Sequence, residues 1–213
     1  MTTTTTAMGG YYDEKRAASQ LQSYRDKGPI PSTRALIEAL RAEGVEGATL
    51  LDIGGGIGAI QHELLEAGVT HATSVDASAS YIDAARAEAQ RRGQGDRVTY
   101  MHGDFAELVE SVPPAEIVTL DRVINVYPNW ERLVQLAAAR AQRLFGLVYP
   151  RDTQMVRVVV FVMNLVLRLR GAPVRAAIRS SEEIEQLARE NGLVPHVGRD
   201  VGRAWHVAIF RRA

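Results

Sequence analysis

A mostly apolar strand that runs directly into a glycine-rich loop constrains this sequence more than any other feature. Residues 48–53 form the strand, and four of the next five residues, Gly54 to Gly58, are glycines. Glycine is needed where the backbone turns sharply or lies against a ligand with no side chain between them. The following residues, 59–67, are compatible with a helix, whose N-terminus directs unpaired N–H groups towards such a ligand. We therefore expect a ligand crevice at the end of this strand, with a tight structural turn as the simpler alternative.

The rest of the chain continues the alternation of strands and helices. Further strands are predicted at 71–76, 97–102, 116–121 and 144–149, and helices at 78–92 and 130–143. Such alternation predicts right-handed crossovers and a parallel sheet with helices on both faces. Two last strands, 193–199 and 205–211, are joined through Gly202, a connection so short that it requires an antiparallel pair. The predicted fold class is α/β, a doubly wound, mostly parallel, seven-stranded sheet with a C-terminal antiparallel hairpin.

The length of 213 residues fits a single domain. Residues 1–10 are rich in threonine and end in two glycines, which predicts a disordered tail, and residues 11–213 form the domain. Within it, residues 11–45 are predicted to make an N-terminal helical cap, and residues 152–179 an apolar and basic helical insertion.

The apolar stretch from Met155 to Leu169 is interrupted by Arg157, Asn164 and Arg168. A membrane span needs about 18 or more residues with few charges, so we expect no span here. The simplest interpretation is a helix packed on the sheet. The alternatives are an apolar cover over a hydrophobic substrate, or a contact with a membrane surface or a second subunit.

Two acids follow neighbouring predicted strands. Asp76 ends the second strand, where a carboxylate accepts hydrogen bonds from both ribose hydroxyls of a nucleoside. Asp104 follows the third strand in the sequence His102-Gly103-Asp104-Phe105, where it could accept from an exocyclic adenine amine while Phe105 packs near the ring. The structural alternative for both acids is a helix N-cap.

The glycine loop alone leaves the ligand open. Gly54, Gly56 and Gly58 satisfy GxGxG, while Gly54, Gly56 and Ala59 satisfy the dinucleotide pattern GxGxx(G/A). Ala59 and Asp76 therefore also support an NAD-dependent oxidoreductase. A non-catalytic binding protein on the same fold is a further alternative, because fold does not determine function.

Taken together, the loop and the two acids resemble the class I S-adenosylmethionine-dependent methyltransferases, in their small-molecule branch. The resemblance covers residues 50–121, and the coarse architecture, a Rossmann-like methyltransferase fold, extends it to the C-terminus. It implies S-adenosyl-L-methionine as cofactor and methyl transfer to a small-molecule acceptor, with O-methylation preferred. It also implies that the N-terminal helix with Tyr11, Tyr12 and Tyr24 closes over the cofactor. The implied cofactor-binding residues are Asp52, Gly54, Gly55, Gly56, Gly58, Asp76, Ala77, Gly103, Asp104, Phe105 and Asp121.

The fourth predicted strand departs from one branch of that family. It ends Asp121-Arg122-Val123-Ile124, without the Asn-Pro-Pro-Tyr that clamps a planar amine in related enzymes, which argues against DNA-base and glutamine N-methylation. A sulfonium methyl is already activated, so alignment suffices and a base is optional. The catalytic candidates are Asp121 and Tyr127. His102, Tyr149 and Arg151 also follow predicted strands, although packing or capping is the simpler role for each of these five residues.

Charge and composition limit the partners. The 25 basic and 25 acidic side chains cancel, which gives no support to a nucleic-acid binder, and the absence of cysteine excludes disulfides and thiol chemistry. The histidines lack metal-ligand spacing, so no metal is expected. Residues 1–140 nevertheless carry a net −6 and residues 141–213 a net +6. The basic segment predicts an anionic, partly hydrophobic acceptor or a peripheral membrane contact. A cytoplasmic protein is expected, because the chain starts without a secretory signal pattern. We expect it to be a monomer or a homodimer.

Overall fold

Seven strands form one mixed sheet, in which the first five run parallel and the last strand runs antiparallel to both of its neighbours, the fifth and the sixth. The structure, a computed structural model, describes residues 12–213, so the predicted tail over residues 1–10, like Tyr11, lies outside the described residues. The strands are β1 (Thr49–Ile53), β2 (His71–Asp76), β3 (Val98–His102), β4 (Ala115–Asp121), β5 (Ala141–Pro150), β6 (Leu193–Val201) and β7 (Trp205–Arg212). Their order across the sheet is β3-β2-β1-β4-β5-β7-β6. The predicted fold class is confirmed.

Helices cover both faces of the sheet. They are α1 (Glu14–Lys27), α2 (Pro31–Ala42), α3 (Ala59–Glu66), α4 (Ala79–Arg91), α5 (Phe105–Leu108), α6 (Trp130–Arg140), α7 (Gln154–Leu169) and α8 (Ser181–Glu190). Buried side chains of α2 and α3 form the core on one face, and those of α6 and α8 form it on the other. A smaller cluster joins α1 to α4 through Leu21 and Tyr81.

The strand order places a crevice at the carboxyl end of β1. From β1 the chain moves outward to β2 and β3, then returns to β4 on the opposite side of β1. The register sets Asp52 beside Ser74 of β2 and Thr119 of β4. Ligands bind at such a reversal of strand order because the two flanking crossovers leave opposite faces of the sheet.

The helix predicted over residues 130–143 is three residues too long. Helix α6 ends at Arg140, and β5 begins at Ala141, which pairs with Ala115 at the start of β4. The guanidinium of Arg212 donates to the carbonyl groups of Ala138 and Ala141. The helix therefore ends early because β4 needs a partner and because a side chain from the last strand takes the carbonyl groups at the junction.

Helix α7 forms within the predicted apolar insertion, but the expectation that it packs on the sheet is wrong. Val156 is the buried residue of this helix, at 4% exposure. Phe161 is 70% exposed and Leu169 is 80% exposed. Among residues 12–213, no helix is both long and apolar enough to cross a membrane.

Candidate functional site

A cavity of about 300 Å³ opens at the carboxyl ends of β1, β2 and β4 and beside the residues that follow β3. It brings together nine of the cofactor-binding and catalytic candidates from the sequence. These are Gly54, Gly56, Asp76, Ala77, Gly103, Asp104, Phe105, Asp121 and Tyr127. Asp52, Gly55 and Gly58, which the resemblance also implied, do not line it.

Gly54 and Gly56 form the floor of the cavity in a backbone conformation that favours glycine. Gly54 has φ 66° and Gly56 has φ 58°. A Cβ atom on Gly54 would lie 2.6 Å from Cγ2 of Val123, so there is no space for a side chain. The Gly54 N–H donates to the Val75 carbonyl at 2.7 Å, which ties the loop to the end of β2. The loop therefore presents bare backbone to whatever fills the cavity.

Asp52 supports this loop from beneath. Its side chain is 1% exposed, and its Oδ1 accepts from Thr119 Oγ1 at 2.7 Å. Its Oδ2 has no hydrogen-bond partner and lies 2.9 Å from the position that a Cβ on Gly55 would occupy. Burial is the main cause that raises the pKa of Asp52 to about 7, with the charges of Asp121 and Asp76 adding to it. Asp52 thus contacts the back of the loop rather than the cavity.

Asp76 joins the glycine loop to the start of α4. Its Oδ2 accepts from the Gly56 N–H at 2.9 Å, and its Oδ1 accepts from the Ser78 N–H at 2.8 Å. Burial raises the pKa of Asp76, and the two N–H donors oppose that shift. The cap of α4 is Ser78, whose side chain accepts from the Tyr81 N–H. Asp76 is therefore not the helix cap that the sequence allowed, and its carboxylate faces the cavity.

Asp104 caps α5 and also faces the cavity. Its Oδ1 accepts from the Ala106 N–H at 2.9 Å and from the Tyr127 hydroxyl at 2.7 Å. Burial and the hydrogen bond to Asp104 raise the pKa of Tyr127 well above its ordinary value. This tyrosine stays protonated at neutral pH, so the structure gives it the role of a donor to Asp104 and disfavours it as a base.

Asp121 connects the end of β4 to α2. Its Oδ2 accepts from Thr33 Oγ1 at 2.5 Å, and its Oδ1 lies 3.3 Å from Nε of Arg122. Arg122 has φ 60°, the one positive φ of a non-glycine residue among those described. Its guanidinium lies 5.9 Å from the centre of the Trp205 ring. A strained residue of this kind persists where its surroundings determine it strongly, which is typical of functional sites.

The residues that form the wall of the cavity beyond Asp121 were not predicted as site residues from the sequence. Four of its residues follow β4, and the fifth begins the last strand: Arg122, Val123, Asn125, Val126 and Trp205. Asn125 is 8% exposed, and its Oδ1 has no hydrogen-bond partner. A buried carbonyl oxygen without a partner is costly, and a donor on a ligand would satisfy it. The departure from Asn-Pro-Pro-Tyr marked this segment, but nothing in the sequence placed Trp205 beside it.

The remaining sequence candidates lie away from the cavity. His102 points at the Ala77 carbonyl, with 3.1 Å between Nε2 and the oxygen. Tyr149 is buried and donates to Ser181 Oγ at 3.2 Å. Arg151 forms an ion pair with Asp200 at 2.8 Å. None of the three lines the cavity.

Helix α1 closes one side of the cavity. Tyr12 and Gln20 line it, and the Tyr12 carbonyl accepts from Ser78 Oγ at 2.6 Å. The Tyr12 and Tyr81 rings meet edge to face, with centres 5.7 Å apart. Tyr24 instead donates to Glu63 Oε1 at 2.8 Å, outside the cavity. The helix therefore contributes Gln20 to the site and uses Tyr24 for packing, while Tyr12, just before the helix, also lines the cavity.

Comparison with known proteins identifies relatives over the same region. Residues 50–143 match a family model described as a methyltransferase domain. A ribosomal protein L11 methyltransferase from Pseudomonas putida is 28% identical over 172 residues, which are 81% of this chain and 52% of that protein. The chain thus spans about half the length of the curated relatives it matches.

Solved structures with the same fold cover more of the chain. Magnesium protoporphyrin IX methyltransferase from Synechocystis PCC 6803, with bound SAH, has a TM-score of 0.72 at 20% identity. The match covers 85% of this chain and 82% of that one. An O-methyltransferase family protein from Burkholderia thailandensis has a TM-score of 0.70 at 17% identity, over 94% of this chain and 60% of that one.

Proposed function

We propose that the chain is a class I S-adenosylmethionine-dependent methyltransferase and that it methylates an oxygen of a small, anionic and partly apolar acceptor. The observation that supports this class of acceptor is the composition of the cavity wall beside Asp121. There Arg122 and the apolar residues Val123, Val126 and Trp205 line one cavity, and the Arg122 guanidinium lies 5.9 Å from the centre of the Trp205 ring. A guanidinium recognises carboxylate and phosphate groups, and the apolar side chains exclude water from the rest of the acceptor.

The floor of the cavity fits the cofactor. Gly54 and Gly56 line the cavity with backbone rather than side chains, and the Asp76 carboxylate has lone pairs left after accepting from Gly56 and Ser78. We assign Asp76 to the ribose hydroxyls, and Asp104 with Phe105 to the adenine. When bound, S-adenosylmethionine supplies an activated sulfonium methyl group. The acids around the cavity favour such a cation.

The chain's own residues orient the reactants. Asp121 holds Thr33 and Arg122, so we assign it the positioning of the Arg122 side chain rather than proton removal. Only one of the five guanidinium N–H groups of Arg122 is used by Asp121, which leaves donors for an anionic acceptor. Such alignment lowers the barrier to an in-line displacement without a dedicated base.

The test compares Arg122→Met with Arg86→Met, which removes an exposed arginine that pairs with Asp83 and lies over the Tyr100 ring outside the cavity. Formation of S-adenosylhomocysteine is followed with a panel of acceptors, each as a carboxylate or phosphate and as its neutral amide or ester. Hydrogen bonds to charged groups contribute about 1.5–3 kcal/mol. We therefore expect Arg122→Met to raise KM for anionic acceptors by about 10- to 100-fold and to leave the cofactor Kd within about twofold.

Three results would contradict the proposal. Equal rises in KM for anionic and neutral acceptors would remove Arg122 from acceptor recognition. Calorimetric binding of S-adenosylhomocysteine without turnover of any acceptor would favour a non-catalytic binding protein. Heat with NAD alone would favour the oxidoreductase.

The relatives named ribosomal protein L11 methyltransferases suggest a second acceptor class, a ribosomal protein. A ribosomal protein therefore belongs in the panel. We favour the small acceptor because the cavity wall offers one guanidinium and apolar side chains.

A further inference from the structure

Helix α7 contacts the protein along one narrow stripe. Val156, Val160, Asn164 and Leu167 are its less exposed residues, at spacings of three to four residues that place them on one side of a helix. The Asn164 amide holds this side in place: its Nδ2 donates to the Ala176 carbonyl at 2.7 Å, and its Oδ1 accepts from the Ala176 N–H at 2.9 Å.

The remaining surface of α7, here called the outer face, is mostly apolar. Its large apolar side chains are between 40% and 80% exposed: Met155, Val158, Val159, Phe161, Val162, Met163, Leu165, Val166 and Leu169. A surface helix ordinarily turns its polar side outward. A contiguous exposed apolar surface of this kind marks a site of contact with another molecule or a membrane.

Positive charge borders the outer face, and negative charge is absent from it. No acidic residue occurs between residues 153 and 181. Asp152 is paired with Arg157 through two hydrogen bonds of 2.6 and 2.8 Å. The side chains of Arg168 and Arg170 have no partner among residues 12–213.

From the outer face and its arginines, we propose that α7 docks this protein on an anionic membrane surface. An apolar helix face bordered by basic residues lies in the interface of a bilayer, with arginines at the headgroups. A second copy of the chain complements this surface poorly. A twofold interface would bring the same patch together with itself, and the patch contains arginines without carboxylates to receive them.

The docking helix is connected to the rim of the cavity. Asn164 holds Ala176, the next residue Ala177 donates its N–H to the Asn125 carbonyl at 2.7 Å, and Asn125 lines the cavity. Arg179 reaches the carbonyl groups of Ile124 and Tyr127 at 3.3 Å. A partly apolar acceptor dissolved in the membrane would therefore be close to the site, an extension that rests on the proposed function, whereas docking itself does not.

The test is flotation of the full chain with vesicles, without cofactor or acceptor. Vesicles of phosphatidylcholine with phosphatidylglycerol are compared with vesicles of phosphatidylcholine alone. We expect binding to the anionic vesicles. The triple variant Val158→Gln, Phe161→Gln, Leu165→Gln should lower partitioning into the vesicles at least about tenfold. Each substitution replaces an apolar side chain, which docking would bury at the boundary between headgroups and acyl chains, with a polar one. The double variant Arg168→Gln, Arg170→Gln should lose about tenfold on anionic vesicles only.

Matched controls lie away from α7. Val194→Gln changes a residue on β6 that is 41% exposed, and Arg203→Gln changes an exposed arginine. Both should bind vesicles like the unaltered chain. Absence of binding to anionic vesicles would overturn the proposal, as would binding that the α7 variants leave unchanged. A dimer in sedimentation that Phe161→Gln dissociates, without vesicle binding, would assign the face to a second copy instead. Vesicle binding involves no turnover, so its failure is distinct from failure of the methyl-transfer proposal.

Discussion

The glycine loop and helix α7 differ in what they bury: the loop buries polar groups, whereas α7 leaves large apolar side chains exposed. In the loop, backbone N–H groups and carboxylates form hydrogen bonds with one another inside the protein, and Gly56 and Ser78 each donate to one oxygen of Asp76. In α7, nine large apolar side chains lie outside the core. The polar groups of the loop find partners within this chain, whereas the apolar side chains of the outer face of α7 can be buried only by another molecule. Substitutions should therefore be costly in the loop and nearly free on the outer face of α7.

Gly54→Ala should produce the largest loss. A left-handed conformation costs a non-glycine residue about 1–2 kcal/mol, and the contact with Val123 adds about 1–3 kcal/mol of overpacking. We expect unfolding free energy to fall by about 2–5 kcal/mol in denaturant titrations, with weaker calorimetric binding of the cofactor. Gly171→Ala is the matched control, because Gly171 has φ 65° but nothing within 4 Å of its Cβ position. Equal losses in the two variants would show that the loop is not close-packed.

Asp52→Asn should change how stability depends on pH. The folded pKa of Asp52 is raised from 3.8 to about 7, so the folded state holds the proton more tightly than the unfolded state. Its contribution is present below about pH 4 and is lost as the pH rises through about 7. At one pKa unit per about 1.4 kcal/mol, the variant should be more stable than the unaltered chain by up to about 4 kcal/mol at pH 8, and similar at pH 4.

The measurement is the difference between the two unfolding free energies from pH 4 to pH 8. Asp76 also has a raised pKa and is common to both chains, so only its electrostatic coupling to Asp52 contributes to the difference. A difference that does not vary with pH would show that the carboxyl beneath the loop is not a buried acid of this kind.

Asp76→Asn should weaken cofactor binding by about 10- to 100-fold, as expected for losing hydrogen bonds to a charged group. The substituted amide also turns an N–H group towards one of the two backbone donors, Gly56 or Ser78. Calorimetry with S-adenosylhomocysteine measures the change. The control is Asp83→Asn on α4, whose side chain is 71% exposed and which should stay within about twofold. Similar effects of both variants would place the ribose elsewhere.

Leu165→Gln on α7 should have the smallest effect, within about 0.5 kcal/mol of unfolding free energy, as for most surface substitutions. Val156→Ala on the same helix removes about two buried methyl groups and should cost about 1.6 kcal/mol. Denaturant unfolding measures both. If Leu165→Gln cost more than Val156→Ala, the outer face would be packed against the protein, and the contrast between the two regions would fail.

The sequence predicted the seven-stranded sheet with its C-terminal hairpin, and the floor of the cavity, because these depend on local patterns. A strand followed by Gly54 to Gly58, and acids at the ends of β2 and β3, are contiguous features whose geometry follows from short-range sterics. The predicted end of α6 was wrong for two reasons. Ala141 pairs with Ala115, and Arg212, near the C-terminus, donates hydrogen bonds to the carbonyl groups at that junction.

Local pattern by itself therefore determined the fold class, the glycine loop and the position of Asp76 and Asp104 at one edge of the sheet. Only the tertiary structure decided that Asp52 lies beneath the loop, that Arg122 and Trp205 share a wall, and that α7 turns its apolar face outward. These outcomes depend on which distant segments pack together. A periodic apolar stretch specifies a helix face but not whether the protein, a membrane or a second chain covers it.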